Sequence, residues 1–142
     1  MFSPLPVPRS DAALSLALHR AAQRVRDASR PVVHALGLEY EDYLALASLW
    51  SADGAEESRL AATLGVSEAS VRRSLAALVA RGYAEREAAL GCAPRVWLTD
   101  DGHRARAVSS HALDTGVSLD EGALADTRFL LDELIRTLAP AV

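Results

Sequence analysis

Apolar residues recur at helical spacing over most of the chain, and the breaks between periodic runs divide it into elements. Leu14, Leu18, Ala21, Val25 and Ala28 repeat at three- and four-residue steps, which predicts a long helix from about Asp11 toward Pro31. Residues 1–10, with proline at positions 4, 6 and 8, read as an extended arm. Pro31 is expected to kink this helix or to open the next turn, and Gly37 to close the segment. A second helix from about Glu41 carries Tyr43, Leu44, Leu46, Ala47, Leu49 and Trp50, apolar on most of its surface and so expected to be buried. Asp53–Gly54 then turns the chain.

The segment Ser58–Arg81 predicts two short helices around a glycine-led turn. Ser58 is a candidate N-cap, with Glu56 and Glu57 suited to the positive end of the helix dipole. Leu60, Ala61 and Leu64 share one face, and Gly65 stands where a left-handed C-terminal residue is wanted. Ser67 caps the next helix, whose apolar stripe is Val71, Leu75, Leu78 and Val79. Its other face, with Ser67, Ala69, Ser70, Arg72, Arg73, Ala76 and Ala77, combines small residues with two arginines, a surface a DNA major groove accepts. An ordinary pair of helices with a solvated arginine face would carry the same pattern. The residues beyond Arg81 favour the helix-turn-helix. Tyr83–Glu87 and Arg95–Leu98 alternate in strand fashion about a loop holding Gly91 and Pro94, which makes a wing. Thr99 caps a helix with Asp100 and Asp101 in its first turn, Gly116 breaks it, and Leu124, Leu131, Leu134, Ile135 and Leu138 stripe a last helix from about Asp120.

Charge modifies this picture. The net charge is −4, and all 15 basic residues are arginine. Residues 1–57 carry five arginines against eight acids (−3), residues 58–104 seven against five (+2), and residues 105–142 three against six (−3). Only the helix-turn-helix and wing are basic, so an acidic body would limit non-specific adhesion while a local face meets phosphate. The single cysteine excludes an intramolecular disulfide framework. Without a charged-then-apolar leader or a long apolar run, the chain reads as cytoplasmic, with no membrane partner. No nucleophile–base pair, phosphate loop or metal-ligand spacing among the four histidines is legible, so neither an enzyme nor a cofactor is expected.

The order helix, helix, helix-turn-helix, wing and two helices resembles the MarR family of winged-helix transcriptional regulators over nearly the whole chain. The carrying segments are LGLEYEDYLALASLW, SRLAATLGVSEASVRRSLAALVARGY and WLTDDGHR. The resemblance implies one MarR-like domain over residues 1–142. It is mainly α with a small β-wing: dimerisation helices at 11–36 and 105–139 and a winged lobe at 40–99. Leu14–His19 and Leu38–Leu44 are most similar to the branch that senses organic hydroperoxides, but the branch's reactive cysteine falls on Ser15. A serine hydroxyl is neither acidic nor oxidisable in that way, so Ser15 is no redox switch.

The function this implies is a homodimeric repressor on a pseudo-palindromic duplex operator, released by a small aromatic or phenolic acid held between dimer helices and DNA lobe. Candidate ligand residues are Ser15, His19, Tyr40, Tyr43 and Trp50, which could equally be plain core. The family's wing aspartate and arginine fall on Leu90 and Cys92, in a loop about two residues shorter than in the hydroperoxide branch, leaving Arg86 and Arg95 as wing cations. A lone loop cysteine is more often incidental than a sensor. A second reading stays open: a MarR-like protein-interaction module with weak or lost DNA binding.

Overall fold

The computed structural model describes residues 9–113 and 121–138. In chain order these form α1 (Arg9–Leu36), α2 (Tyr40–Ser51), β1 (Ala55–Glu56), α3 (Glu57–Leu64), α4 (Glu68–Ala80), β2 (Ala84–Glu87), β3 (Arg95–Leu98), α5 (Asp100–Leu113) and α6 (Glu121–Leu138). The fold is mainly α, with one antiparallel sheet in the order β1-β3-β2.

The core lies where α2, α3, α4 and the sheet meet. Leu46 and Leu49 of α2, Leu60 of α3, Val71 and Leu78 of α4 and Val96 of β3 are fully buried together with Val32 of α1. Burying side chains of this size stabilises by roughly 1.5–3 kcal/mol each. The helix apolar on most of its surface is thus the central one, as its composition predicts. Only the last part of α1 joins this core, through Ser29, Val32 and Leu36, whereas Leu14, Leu16 and Val25 are exposed.

Four expectations are corrected. Helix α1 starts at Arg9, inside the expected arm, and runs through Pro31 to Leu36; residues 1–8 lie outside the described set. Pro31 removes one N–H and crowds the carbonyl four residues back, and burial of Val32 and Leu36 just beyond it offsets that cost. It ends at Gly37 as expected, where Leu38 N–H bonds to Val33 O (3.0 Å) and Gly37 N–H to His34 O (3.1 Å). Second, Ser58 is not an N-cap. Ala55 and Glu56 pair with Val96 and Arg95 as strand β1, so α3 begins at Glu57 with Glu56 in the cap position and no side-chain cap. Third, Val79 is 44% exposed, and buried Ser74 occupies the stripe with Val71, Leu75 and Leu78. Fourth, the sheet has a third strand, β1, where the sequence predicts only a turn into a helix. The predicted hairpin itself pairs as expected, Glu85 opposite Trp97 and Glu87 opposite Arg95. The Gly116 break lies outside the described residues.

Helix α5 is fitted to the lobe by Thr99, whose hydroxyl accepts from Gly102 N–H (3.0 Å) as an N-cap. Gly102 is required there: a Cβ would overlap the Tyr83 carbonyl oxygen, which already accepts from Thr99 N–H (3.1 Å). Among the described residues, helix α6 takes no part in the main packing between elements.

Candidate nucleic-acid interface

The turn and the start of α4 are built as the sequence prescribes. Gly65 takes φ 67°, a left-handed conformation that costs other residues about 1–2 kcal/mol, and Val66 N–H bonds to Ala61 O (3.1 Å). Ser67 caps α4 by accepting from Ser70 N–H (3.2 Å), and the two hydroxyls stand 3.0 Å apart. With one side of α4 buried, Ala69, Arg72, Arg73 and Ala76 are exposed on the other, and Ser70 is half-buried.

The four candidate cations differ in what holds them. Arg73 has no ionic or hydrogen-bonding partner among the described residues. It borders a cleft of about 430 Å³ behind α4, together with Glu39, Glu41 and Asp42 at the start of α2. Arg72, one residue earlier, reaches Glu57 (Nε to Oε2, 3.3 Å) and Glu68 (3.5 Å). Arg86 of β2 also reaches Glu57, its Nε 2.6 Å from Oε1 but without the alignment of a hydrogen bond. Arg95 turns toward β1, donating to Gly54 O (3.0 Å) and pairing with Glu56 at 3.8 Å.

Glu57 is the residue sequence reasoning missed. Its side chain is only 7% exposed, while those of Arg72 and Arg86 are 58% and 49% exposed. It joins the start of α3 to α4 and to the wing. The signal was present: Glu57 falls at helical spacing with Leu60, Ala61 and Leu64, so it faces inward with them.

The wing is anchored firmly at its base. Asp53 Oδ1 accepts from Leu98 N–H (2.7 Å) and Gly54 N–H (3.1 Å), while Oδ2 stands 3.5 Å from His103 Nε2. Trp97 lies over Gly54, where a Cβ would strike its ring. The tip is a tight turn closed by Cys92 N–H to Ala89 O (3.1 Å), with Leu90 and Cys92 exposed. Arg86 and Arg95 lie on the strands and leave the tip uncharged.

The five residues expected to line a ligand site are not brought together within one chain. Tyr40, Tyr43 and Trp50 form a row on α2, with ring centroids 6.4 and 6.2 Å apart. Each is engaged structurally. Tyr43 and Ser109 hydroxyls share a buried hydrogen bond (3.1 Å), and Trp50 donates to Gly102 O (2.9 Å). Arg26 lies over the Tyr40 ring at 5.1 Å. Burial pushes the Tyr40 phenol above its ordinary range, opposed in part by Arg26. Ser15 and His19 are exposed on α1, and Ser15 stands roughly 16 Å along the helix from Arg26, at 1.5 Å per residue. Among the described residues no His, Cys, Asp or Glu cluster suits a metal ion, and no helix is long and apolar enough to cross a membrane.

Comparison with known proteins places this geometry. A profile of the IclR helix-turn-helix domain matches residues 51–88, the end of α2 through β2. No curated protein matches by sequence. AbfR of Staphylococcus epidermidis superposes with a TM-score of 0.81 at 20% identity, covering 92% of each chain. Reduced AbfR bound to DNA gives 0.79, also at 20% identity and with the same coverage. A MarR-family regulator from Rhodococcus sp. RHA1 gives 0.75 at 18% identity, over 99% of this chain and 100% of that one. The IclR match is confined to the helix-turn-helix and first wing strand, whereas the likeness to the solved structures extends over the flanking helices as well. The chain has the winged helix-turn-helix fold of the MarR-family regulators.

Proposed function

We propose that this protein is a MarR-family transcriptional regulator that binds duplex DNA as a homodimer, with α4 of each protomer in successive major grooves of a pseudo-palindromic site. The observation that carries this reading is the capped α4, with Arg73 unpartnered among the described residues and Arg72 beside it on a face of small side chains. A DNA-bound AbfR of the same fold supports it. Arg73 is the primary reader. An arginine bidentate to guanine contributes about 1–3 kcal/mol of discrimination. Selection from a random duplex pool should therefore enrich a two-fold-related sequence. Arg73→Ala should weaken binding to that sequence about tenfold or more and relax preference at one base pair per half-site. If no duplex is enriched, the DNA reading fails.

Repression, and its release by a small aromatic acid, extend this proposal. The Tyr40–Tyr43–Trp50 row joins α2 to α1 and α5, so a ligand displacing Arg26 from Tyr40 would act at the junction of lobe and long helix. One observation favours the interaction-module reading. Three of the four candidate cations are already paired with acids of the same chain. Absence of any enriched duplex would leave that reading in front.

A further inference from the structure

The nine-tenths-buried Glu57, set between a reader-helix arginine and a wing arginine, does not belong to the contacts expected of a DNA-reading face. A carboxylate this enclosed is tolerated only when paired, and it has two cations, one from each DNA-facing element. Both are met through Nε, and both arginine side chains are about half exposed. An arginine held by Nε can still present terminal nitrogens outward; Arg86 is held at Nε, while Arg72 also rests one terminal nitrogen on the exposed Glu68 at 3.5 Å, a contact a base edge can replace. Part of its charge is meanwhile balanced from inside the protein. We propose that Glu57 is a positioning residue that determines specificity: it occupies the place of a backbone phosphate for Arg72 and Arg86, so that these arginines add little to non-specific DNA binding and engage only a cognate site. This rests on the DNA-binding reading above.

The physics is a competition. Non-specific complexes form through phosphate contacts, and each one adds about 0.9 to the steepness of log K against log salt concentration. An arginine already balanced by Glu57 gains little by exchanging that carboxylate for a phosphate. A base edge offers two well-aligned acceptors and shifts the balance. Glu57 also fixes the spacing between α4 and β2, since a single carboxylate spans them.

The test compares binding of a random-sequence duplex and of the duplex recovered by selection, over a range of salt concentrations. Glu57→Gln keeps the shape and removes the charge. The dimer should then bind random duplex at least about tenfold tighter at low salt, with a slope steeper by about two units, and the selected-to-random affinity ratio should fall. Glu68→Gln removes the same charge from an exposed position touching Arg72 and should shift the slope by less than half as much. A merely structural role for Glu57 would weaken both complexes with the slopes unchanged. A Glu57→Gln slope equal to wild type, or equal to that of Glu68→Gln, overturns the proposal. Should Glu57→Gln fail to fold, Arg86→Gln decides in the wild-type background. Selected-duplex affinity should drop while the random-duplex slope stays put, and a loss of about two units from that slope would overturn it. Wild-type protein that binds neither duplex removes the DNA reading itself, an outcome distinct from all of these.

Discussion

Single side chains tie the winged lobe to the flanking helices, and they do so through polar groups placed in apolar surroundings. Tyr43 and Ser109 are both buried, and their hydroxyls have each other across α2 and α5. A buried hydroxyl left alone costs about 1–3 kcal/mol, whereas removing both partners of a pair can be nearly neutral. Ser109→Ala should therefore destabilise by about 1–2 kcal/mol in urea unfolding. Tyr43→Phe should cost a similar amount, and the double variant clearly less than the sum. Additive costs would mean that the contact contributes nothing as a pair. The same logic separates what is legible in the sequence from what is not. Tyr43 and Trp50 are identifiable as aromatic residues on a buried helix, and a pocket and a core predict the same residues there. Only their partners, Ser109 and the Gly102 carbonyl, decide that each is engaged structurally, and those partners lie 66 and 52 residues away. Glu57 is legible by periodicity, yet its position beside a helix start makes dipole compensation the simpler account.

Among the elements, helices are legible to within a few residues because their apolar periods are long. The strand β1 is not, because two residues cannot show a period of two. That short strand has a consequence for capping. By holding Ala55 and Glu56 against β3 it moves the start of α3 ahead of Ser58, so that serine does no capping. Ser67, where no strand intervenes, caps as expected. Replacing a capping serine with alanine costs about 1 kcal/mol, while exposed positions away from such features stay within about 0.5 kcal/mol. Ser67→Ala should thus lower stability by about 1 kcal/mol and Ser58→Ala by less than half of that, compared by chemical denaturation. Equal losses would contradict this assignment of caps. The wing shows the converse case. Its two hairpin strands are legible, but Arg86 and Arg95, expected as the wing's cations, are drawn back to Glu57 and Glu56 by acids that sequence spacing does not connect to them.

Among the described residues, large apolar side chains along two helices, α1 and α6, are left exposed. Along α1, Leu14, Leu16 and Val25 are exposed; along α6, Phe129, Leu130, Leu131, Ile135 and Leu138 are 41–66% exposed. A monomer with this much apolar surface on helices outside the core would be a liability in water, and a second copy of the chain is the simplest cover. Two-fold symmetry brings each such residue into the interface twice. Stable obligate interfaces bury on the order of 2,000 Å² or more, an area that two long helices per protomer can supply. At roughly 1.5–3 kcal/mol for each fully buried aliphatic side chain, Ile135→Asp should cost about 3–6 kcal/mol per dimer. That corresponds to roughly two to four orders of magnitude in the dimer dissociation constant. Because α6 takes no part in the main packing among the described residues, the winged lobe should keep its fold in this variant. Sedimentation equilibrium at micromolar concentration should then show wild type as a dimer and Ile135→Asp as a monomer with near-native helical circular dichroism. DNA affinity should fall with dissociation, since a single protomer presents one α4 to one half-site. A folded wild-type monomer at micromolar concentration would rule out the dimer, and with it the two-fold operator.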